Sequence, residues 1–393
     1  MRISSHFLDN IYMKRKLIVA LFAIFFILSG LSASDWSFFV DGLDQHPEFV
    51  GGFPPTYLSG GVRYTGLDLL PEDTTTIQMR VGGGYIERKF WKNFETGADD
   101  LEMTPLTYDI GVFEWGAAFS QGFLDSPAGD KDFITLTLGY EGRYEKALDG
   151  YGGRRPVAAR LATNFDQINS HNVYNDIKGD SQYLGTNFTF TFKLDGMYDD
   201  IETNDGYLVS FDADWSPLAL NSALDGFADY YQFTLNAVGA KTLYQYKTGD
   251  THWISITLID RVRLNWLDGS YVPGYVQKLG SLGRLVRGYT NYTYGSNFTI
   301  VNNLEFRFAG PAMGVKGLHP RINLFFDMGY GCGNFYNSSV GMNSFIASTG
   351  AQIEISIFDF IDIGVELAYL IGGVNYAKPD SNFSFGFTFF LDY

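Results

Sequence analysis

The chain has 393 residues, with 28 basic and 44 acidic side chains and a formal net charge of -16. That balance argues against a nucleic-acid partner and against adhesion to an anionic lipid surface. Aromatics are 17% of the chain, Gly numbers 45, and the mean hydropathy of -0.05 speaks against a bundle of spanning helices but suits a transmembrane β-barrel, where only every other residue faces lipid.

The chain opens on a targeting pattern. Met13-Lys14-Arg15-Lys16 is a basic start, Leu17 to Leu28 is unbroken apolar sequence, and Ser32-Ala33-Ser34 is a small-residue exit. This reads as a signal peptide over residues 1–34, translated from Met13. The apolar run is shorter than the roughly 20 residues a spanning helix needs. Its removal leaves 24 basic and 43 acidic residues, near -19, so an acidic lumen or acidic outer loops would favour cations over anions. A short segment, 35–55, would precede an outer-membrane barrel over 56–393.

From there the texture is period 2, broken by Asp, Gly, Asn and Pro clusters. Strands are predicted over 57–68, 74–88, 107–119, 133–144, 183–194, 207–215, 228–246 and 253–266. They resume over 298–308, 322–330, 345–357, 361–371 and 383–393. The fold class is all-β, a transmembrane antiparallel barrel. Thirteen strands are odd, and bacterial barrels of this kind are even, so at least one more is expected before Tyr57 or between Lys146 and Ser181. A soluble sandwich is the alternative; the leader and the aromatic last strand speak against it.

Between the strands, 146–181 reads as a long surface loop. Asp199, Asp200, Glu202 and Asp205 cluster at a turn, with spacing that fits no calcium loop. Cys332 stands alone, so no internal disulfide can form. The chain has neither a Gly-x-Ser-x-Gly elbow nor a His-Glu-x-x-His helix. His6, His46, His171, His252 and His319 are scattered without metal-ligand spacing. No enzyme, metal or cofactor is expected; a barrel-rim hydrolase using His252 near Asp250 is the minor alternative.

The glycine-rich stretch 267–296 is the main functional candidate: an external loop, or one folded back into the lumen. It carries Val286-Arg287-Gly288-Tyr289. In the strand that follows, Leu304, Phe306 and Phe308 share one face, with Asn303, Glu305 and Arg307 on the other. In the next, Ile322, Leu324 and Phe326 oppose Asn323, Phe325 and Asp327. Parity thus puts Glu305 and Asp327 on one side of a sheet, where an arginine fork could engage them. At the end of the chain Phe383, Phe385, Phe387, Phe389, Leu391 and Tyr393 form one apolar face.

This order resembles the C-terminal barrel of the Omp85 superfamily, the BamA-like outer-membrane proteins also called bacterial surface antigen proteins. The match runs from Arg284 to Tyr393. The resemblance implies sixteen strands, with fourteen the alternative, and a sixth loop tucked into the lumen. Arg287, Gly288 and Tyr289 would lie on that loop, and Glu305 and Asp327 would be the wall acids that hold it. It also implies that Phe385, Phe387, Phe389 and Tyr393 present an assembly signal, making the chain a client of the outer-membrane assembly machinery. The segment 35–55 is too short for a periplasmic POTRA domain, so a barrel-only member is expected. The implied role is helping to insert or transport proteins or lipid in the outer membrane of a diderm bacterium, alone or with a separate periplasmic factor. The alternative is a passive channel or structural barrel.

Overall fold

The computed structural model describes residues 36–41, 56–65, 74–96, 100–126, 132–148, 182–199, 204–224, 226, 228–248, 253–273, 276, 282–289, 297–310, 317–334, 341–357, 361–372 and 381–391. The proposed leader, residues 149–181, Asp200, Glu202, the pair Asp250 and His252, and Tyr393 lie outside them.

The chain is all-β. Its strands are β1 (Trp36–Asp41), β2 (Thr56–Tyr64), β3 (Thr75–Thr96), β4 (Asp100–Asp125), β5 (Asp132–Leu148), β6 (Gln182–Asp195), β7 (Tyr198–Asp199) and β8 (Asn204–Ser216). After a short helix, α1 (Leu218–Ser222), come β9 (Asp229–Lys247) and β10 (Trp253–Tyr271). A second short helix, α2 (Leu282–Leu285), precedes β11 (Phe298–Ala309), β12 (Leu318–Asn334), β13 (Gly341–Ile357), β14 (Ile361–Gly372) and β15 (Phe383–Leu391). Each strand pairs antiparallel with the next in one meander, except β7, which pairs only with β8. Among the described residues the sheet path holds fourteen strands, the lower of the two expected counts, and β1 is not joined to β15.

All thirteen predicted strands fall on strands of the sheet, and β1 supplies the extra one before Tyr57. The larger differences are of length. β3 and β4 continue to Thr96 and Asp100, which pair with each other, where separate strands ending at 88 and starting at 107 are predicted. Beyond an apolar belt a hairpin needs only its backbone ladder, so Lys89, Lys92, Glu95 and Glu102 can occupy it without any alternation. β10 likewise takes 267–271 from the predicted loop.

Alternation sends the apolar side chains outward and the polar ones inward. On β11 and β12, Phe306, Phe308, Ile322, Leu324 and Phe326 are exposed while Glu305, Asn323 and Asp327 are buried. On β14, Val365, Leu367, Tyr369 and Ile371 are exposed, and on β15 Phe385 is 74% exposed. This is the reverse of a water-soluble sheet, and such a continuous apolar surface requires an apolar surrounding.

The apolar face is also banded. Tyr207 stands exposed near the start of β8, opposite Gly239 of β9, and Tyr244 and Tyr246 are exposed further along β9 toward its end. Trp215, Trp266 and Phe298 are exposed at the opposite end of β8, β10 and β11. Eight residues of β8 separate Tyr207 from Trp215, about 26 Å along the strand and about 20 Å along a barrel axis at the usual strand tilt. Aromatic side chains toward both ends of an apolar outer face are a feature of membrane barrel exteriors.

Candidate functional site

The concave face is largely polar, with an apolar patch under the loop. There Val301 of β11, Phe325 of β12, Ile346 of β13 and Ala368 and Leu370 of β14 form an apolar patch across four adjacent strands. Leu282, Val286 and Tyr289 of the loop pack onto it, each fully buried. The main chain of α2 is held by Val286 N–H donating to Leu282 O at 2.9 Å and by Asn303 Nδ2 donating to Leu285 O at 3.0 Å. Gly329 of β12 leaves the space for this approach: a Cβ there would lie 2.9 Å from Val286 Cγ2 and 3.0 Å from Leu282 Cδ2.

Arg287 crosses from the loop to the wall. Its Nε donates to Asp327 Oδ2 at 2.8 Å, Nη2 to Asp327 Oδ1 at 2.8 Å, and Nη1 to Glu305 Oε2 at 2.9 Å. Its backbone N–H also reaches Asp327 Oδ2, at 3.0 Å. The strand register explains how one guanidinium spans two carboxylates. Asn303 faces Asp327 and Glu305 faces Phe325, so the two acids are diagonal neighbours. Phe325 sits between them, with its ring centroid 4.0 Å from Arg287 Cζ. Asp327 has no exposure and Glu305 little; Arg307 also touches Glu305, at 3.1 Å. Burial disfavours charge on Arg287, but its hydrogen bonds and charge attraction to Asp327 and Glu305 outweigh this and hold the guanidinium protonated, above its ordinary range.

The next two residues extend the contact. Gly288 has φ of 83°, its N–H meets Glu366 of β14, and an added Cβ would lie 2.6 Å from Leu370 Cδ2 and 2.7 Å from Ala368 Cβ. Tyr289 shares its hydroxyl hydrogen between Ile371 O and Gly372 O, both at 3.0 Å. Gly288→Ala should therefore lift the loop tip and cost about 2 kcal/mol or more from the left-handed backbone and overpacking. Faster protease cleavage within the loop than in the wild type is the expected result; an unchanged rate would refute it.

The structure thus brings Arg287, Gly288, Tyr289, Glu305 and Asp327 to one place. Parity already puts Asn303, Arg307 and Phe325 on the faces of Glu305 and Asp327 but gives them no part in the site, and Glu366 is not marked at all. A signal for the docking patch exists in the apolar residues at lumen parity on four strands. The terminal aromatics are divided: Phe385 and Phe387 lie on the exposed face, β15 includes Phe389, and Tyr393 is outside the described residues. At the acidic turn, Asp205 pairs with Lys241 at 2.6 Å and β7 closes a hairpin with β8. Among the described residues no group of His, Cys, Asp and Glu is arranged to hold a metal. His319 stacks on Trp253. At Arg287 charge-assisted hydrogen bonds join the loop to two strands of the sheet.

Fold and site together define the class: an all-β antiparallel sheet with an apolar exterior, a polar concave face and a loop fastened inside. Among solved structures, the chain is similar to the crystal structure of BamA from Haemophilus ducreyi lacking POTRA domains 1-3, at 12% identity and a TM-score of 0.43, over 90% of this chain and 69% of that one. It is also similar to a bacterial polysaccharide outer membrane secretin, at 10% identity and a TM-score of 0.35, over 90% of this chain and 94% of that one. No protein-family model and no curated protein matches the chain. Both structural likenesses are distant, and the reading of the site rests on the chain's own residues.

Proposed function

We propose that the chain is an outer-membrane β-barrel of a diderm bacterium that helps insert or move proteins or lipid through that membrane. The banded apolar exterior supports the membrane placement. The observation that carries the role is the clasp of Arg287 on Asp327 and Glu305, which holds a loop inside the sheet rather than leaving the concave face empty. The loop lies against β11, β12 and β14, beside the last strand. A seam between β1 and β15 would draw on only the six residues of β1, against the 22 of β3 in its own ladder. Such a seam would be the weakest join in the wall, and the fastened loop would steady the strands next to it. The protein would use no cofactor or nucleotide and would act as no enzyme. It would itself be delivered as a client, with Phe385, Phe387, Phe389 and Tyr393 in the recognised last strand.

Depletion of the protein in its host tests this role. Other outer-membrane barrels should fall in abundance while their transcripts hold steady. If those barrels persist, the assembly role is lost. A second reading, a passive channel, is favoured by one feature: a polar cavity of about 440 Å³ on the part of the concave face formed by β3 to β10.

A further inference from the structure

One polar pair interrupts the apolar exterior. On β10 every second residue from Ile254 to Trp266 faces outward, and all of these are apolar or aromatic except Asp260. On β11 the same holds from Phe298 to Phe308, except for Asn302. Asp260 lies six residues from Ile254 and six from Trp266, in the middle of the outer face. It is exposed, and Asn302 is half-buried. Asn302 Nδ2 donates to Asp260 Oδ1 at 2.5 Å, and more loosely to Arg261 O at 3.3 Å. Among the described residues nothing else reaches Asp260 Oδ2 or Asn302 Oδ1. An ionisable group that faces hydrocarbon is costly, and a lipid tail offers it no donor.

The surface beside the pair is indented on one flank and raised on the other. Asp260 faces Gly239 of β9 in register, and a Cβ at Gly239 would meet no atom within 4 Å. Ala237, the adjacent outward residue of β9, is also small. On the other flank Asn302 faces Met328 of β12, next to the exposed Phe326. A hollow thus lies on the β9 side of the pair and large side chains lie on the β12 side. Small residues and polar side chains are what holds protein surfaces together within a membrane, where apolar contact alone gains nothing over lipid.

We infer that the outer face of β9 to β12 is an interface between two copies of this chain within the membrane, centred on Asp260 and Asn302. Two copies inserted the same way are related by a two-fold axis along the membrane normal. An axis between β10 and β11 sets β10 of each copy against β11 of the other, and β9 against β12. Asp260 of each copy then faces Asn302 of the other at one depth, because the two are already bonded neighbours. Carboxylate meets amide rather than carboxylate. The hollow at Gly239 receives the large side chains of β12. The face is therefore self-complementary in hydrogen bonding and in shape. The inference rests on the membrane placement and on neither an assembly nor a channel role.

The test is energy transfer between donor- and acceptor-labelled copies of the full chain in lipid vesicles, followed as the protein is diluted with lipid. The wild type should dimerise. Asp260→Leu should raise the dissociation constant about tenfold, since each dimer holds the contact twice. Gly239→Leu, which fills the hollow, should weaken the dimer as well. Leu367→Ala, on the outer face of β14, should behave as the wild type. Each variant is compared only after its heat-dependent gel mobility matches the wild type. A wild type that stays monomeric at every dilution overturns the inference and leaves the pair facing lipid or another protein. A dissociation constant unchanged in either Asp260→Leu or Gly239→Leu puts the contact on a different face and equally overturns it.

Discussion

Arg287→Ala should release the loop from the wall and destabilise the folded barrel by about 3–5 kcal/mol, the range for breaking a buried ion pair from one side. The loss falls unevenly on the two acids. Glu305 keeps Arg307 at 3.1 Å, whereas Asp327, with no exposure, keeps the backbone N–H of residue 287 and only the more distant charge of Arg261. The stranded charge on Asp327 is therefore the main cost, which sets a second expectation. Arg287→Ala combined with Asp327→Asn should be more stable than Arg287→Ala alone, because the amide needs no counter-charge. Arg287→Lys should fall between wild type and alanine, since an ammonium cannot bridge both acids in a fork or lie flat on Phe325. The readouts are the temperature at which the folded gel band is lost and the protease resistance of the loop. Equal values for Arg287→Ala and wild type would remove the clasp from the account of stability.

The strands were legible in the sequence wherever one face meets an apolar surrounding and the other does not. Phe188, Phe190 and Phe192 against Thr189 and Thr191 on β6 are such a case. The far end of the β3–β4 hairpin was not, because outside the apolar belt the ladder imposes no contrast between faces. β1 is expected from the even strand count but not placed by pattern: Trp36-Ser37-Phe38-Phe39-Val40-Asp41 is six residues long and alternates poorly. At the site, parity suffices to put Glu305 and Asp327 on the same side. It does not reveal that Phe325 stands between them, which depends on the register of β11 against β12. Glu366 depends on a longer chain of registers, through β13 to β14. The apolar residues Val301, Phe325, Ile346 and Leu370 at inward parity look like errors of pattern until the loop is laid over them.

Asn221→Ala should cost about 2–4 kcal/mol, although no motif marks this residue, because it would leave buried main-chain groups without partners. The pairing of β6 with β8 ends at Phe188 and Trp215, so Thr186 lies two residues past the ladder. Side chains take over from there. Asn221 Oδ1 accepts from Thr186 N–H at 2.7 Å and from Thr186 Oγ1 at 3.0 Å, while Ser216 Oγ donates to Thr186 O at 2.7 Å. Asn221 Nδ2 donates to Ala228 O at 2.8 Å, just before β9 begins, and to Ser216 Oγ at 3.0 Å. One amide thus holds the end of β6, the turn of α1 and the approach to β9, at 1% exposure. Alanine removes all of the Asn221 bonds, leaving only Ser216 Oγ on Thr186 O, in a place water does not reach. Aspartate keeps the acceptor but turns an oxygen toward Ala228 O, so it should be at least as damaging. The neighbour Ser222 is exposed and bonds only Ala219 O, at 3.3 Å, and Ser222→Ala should change stability by less than about 0.5 kcal/mol. Thermal unfolding in detergent, followed by gel mobility, should rank wild type and Ser222→Ala together, with Asn221→Ala and Asn221→Asp well below. Similar midpoints for all four would mean that the end of the β6–β8 ladder is held by something other than Asn221.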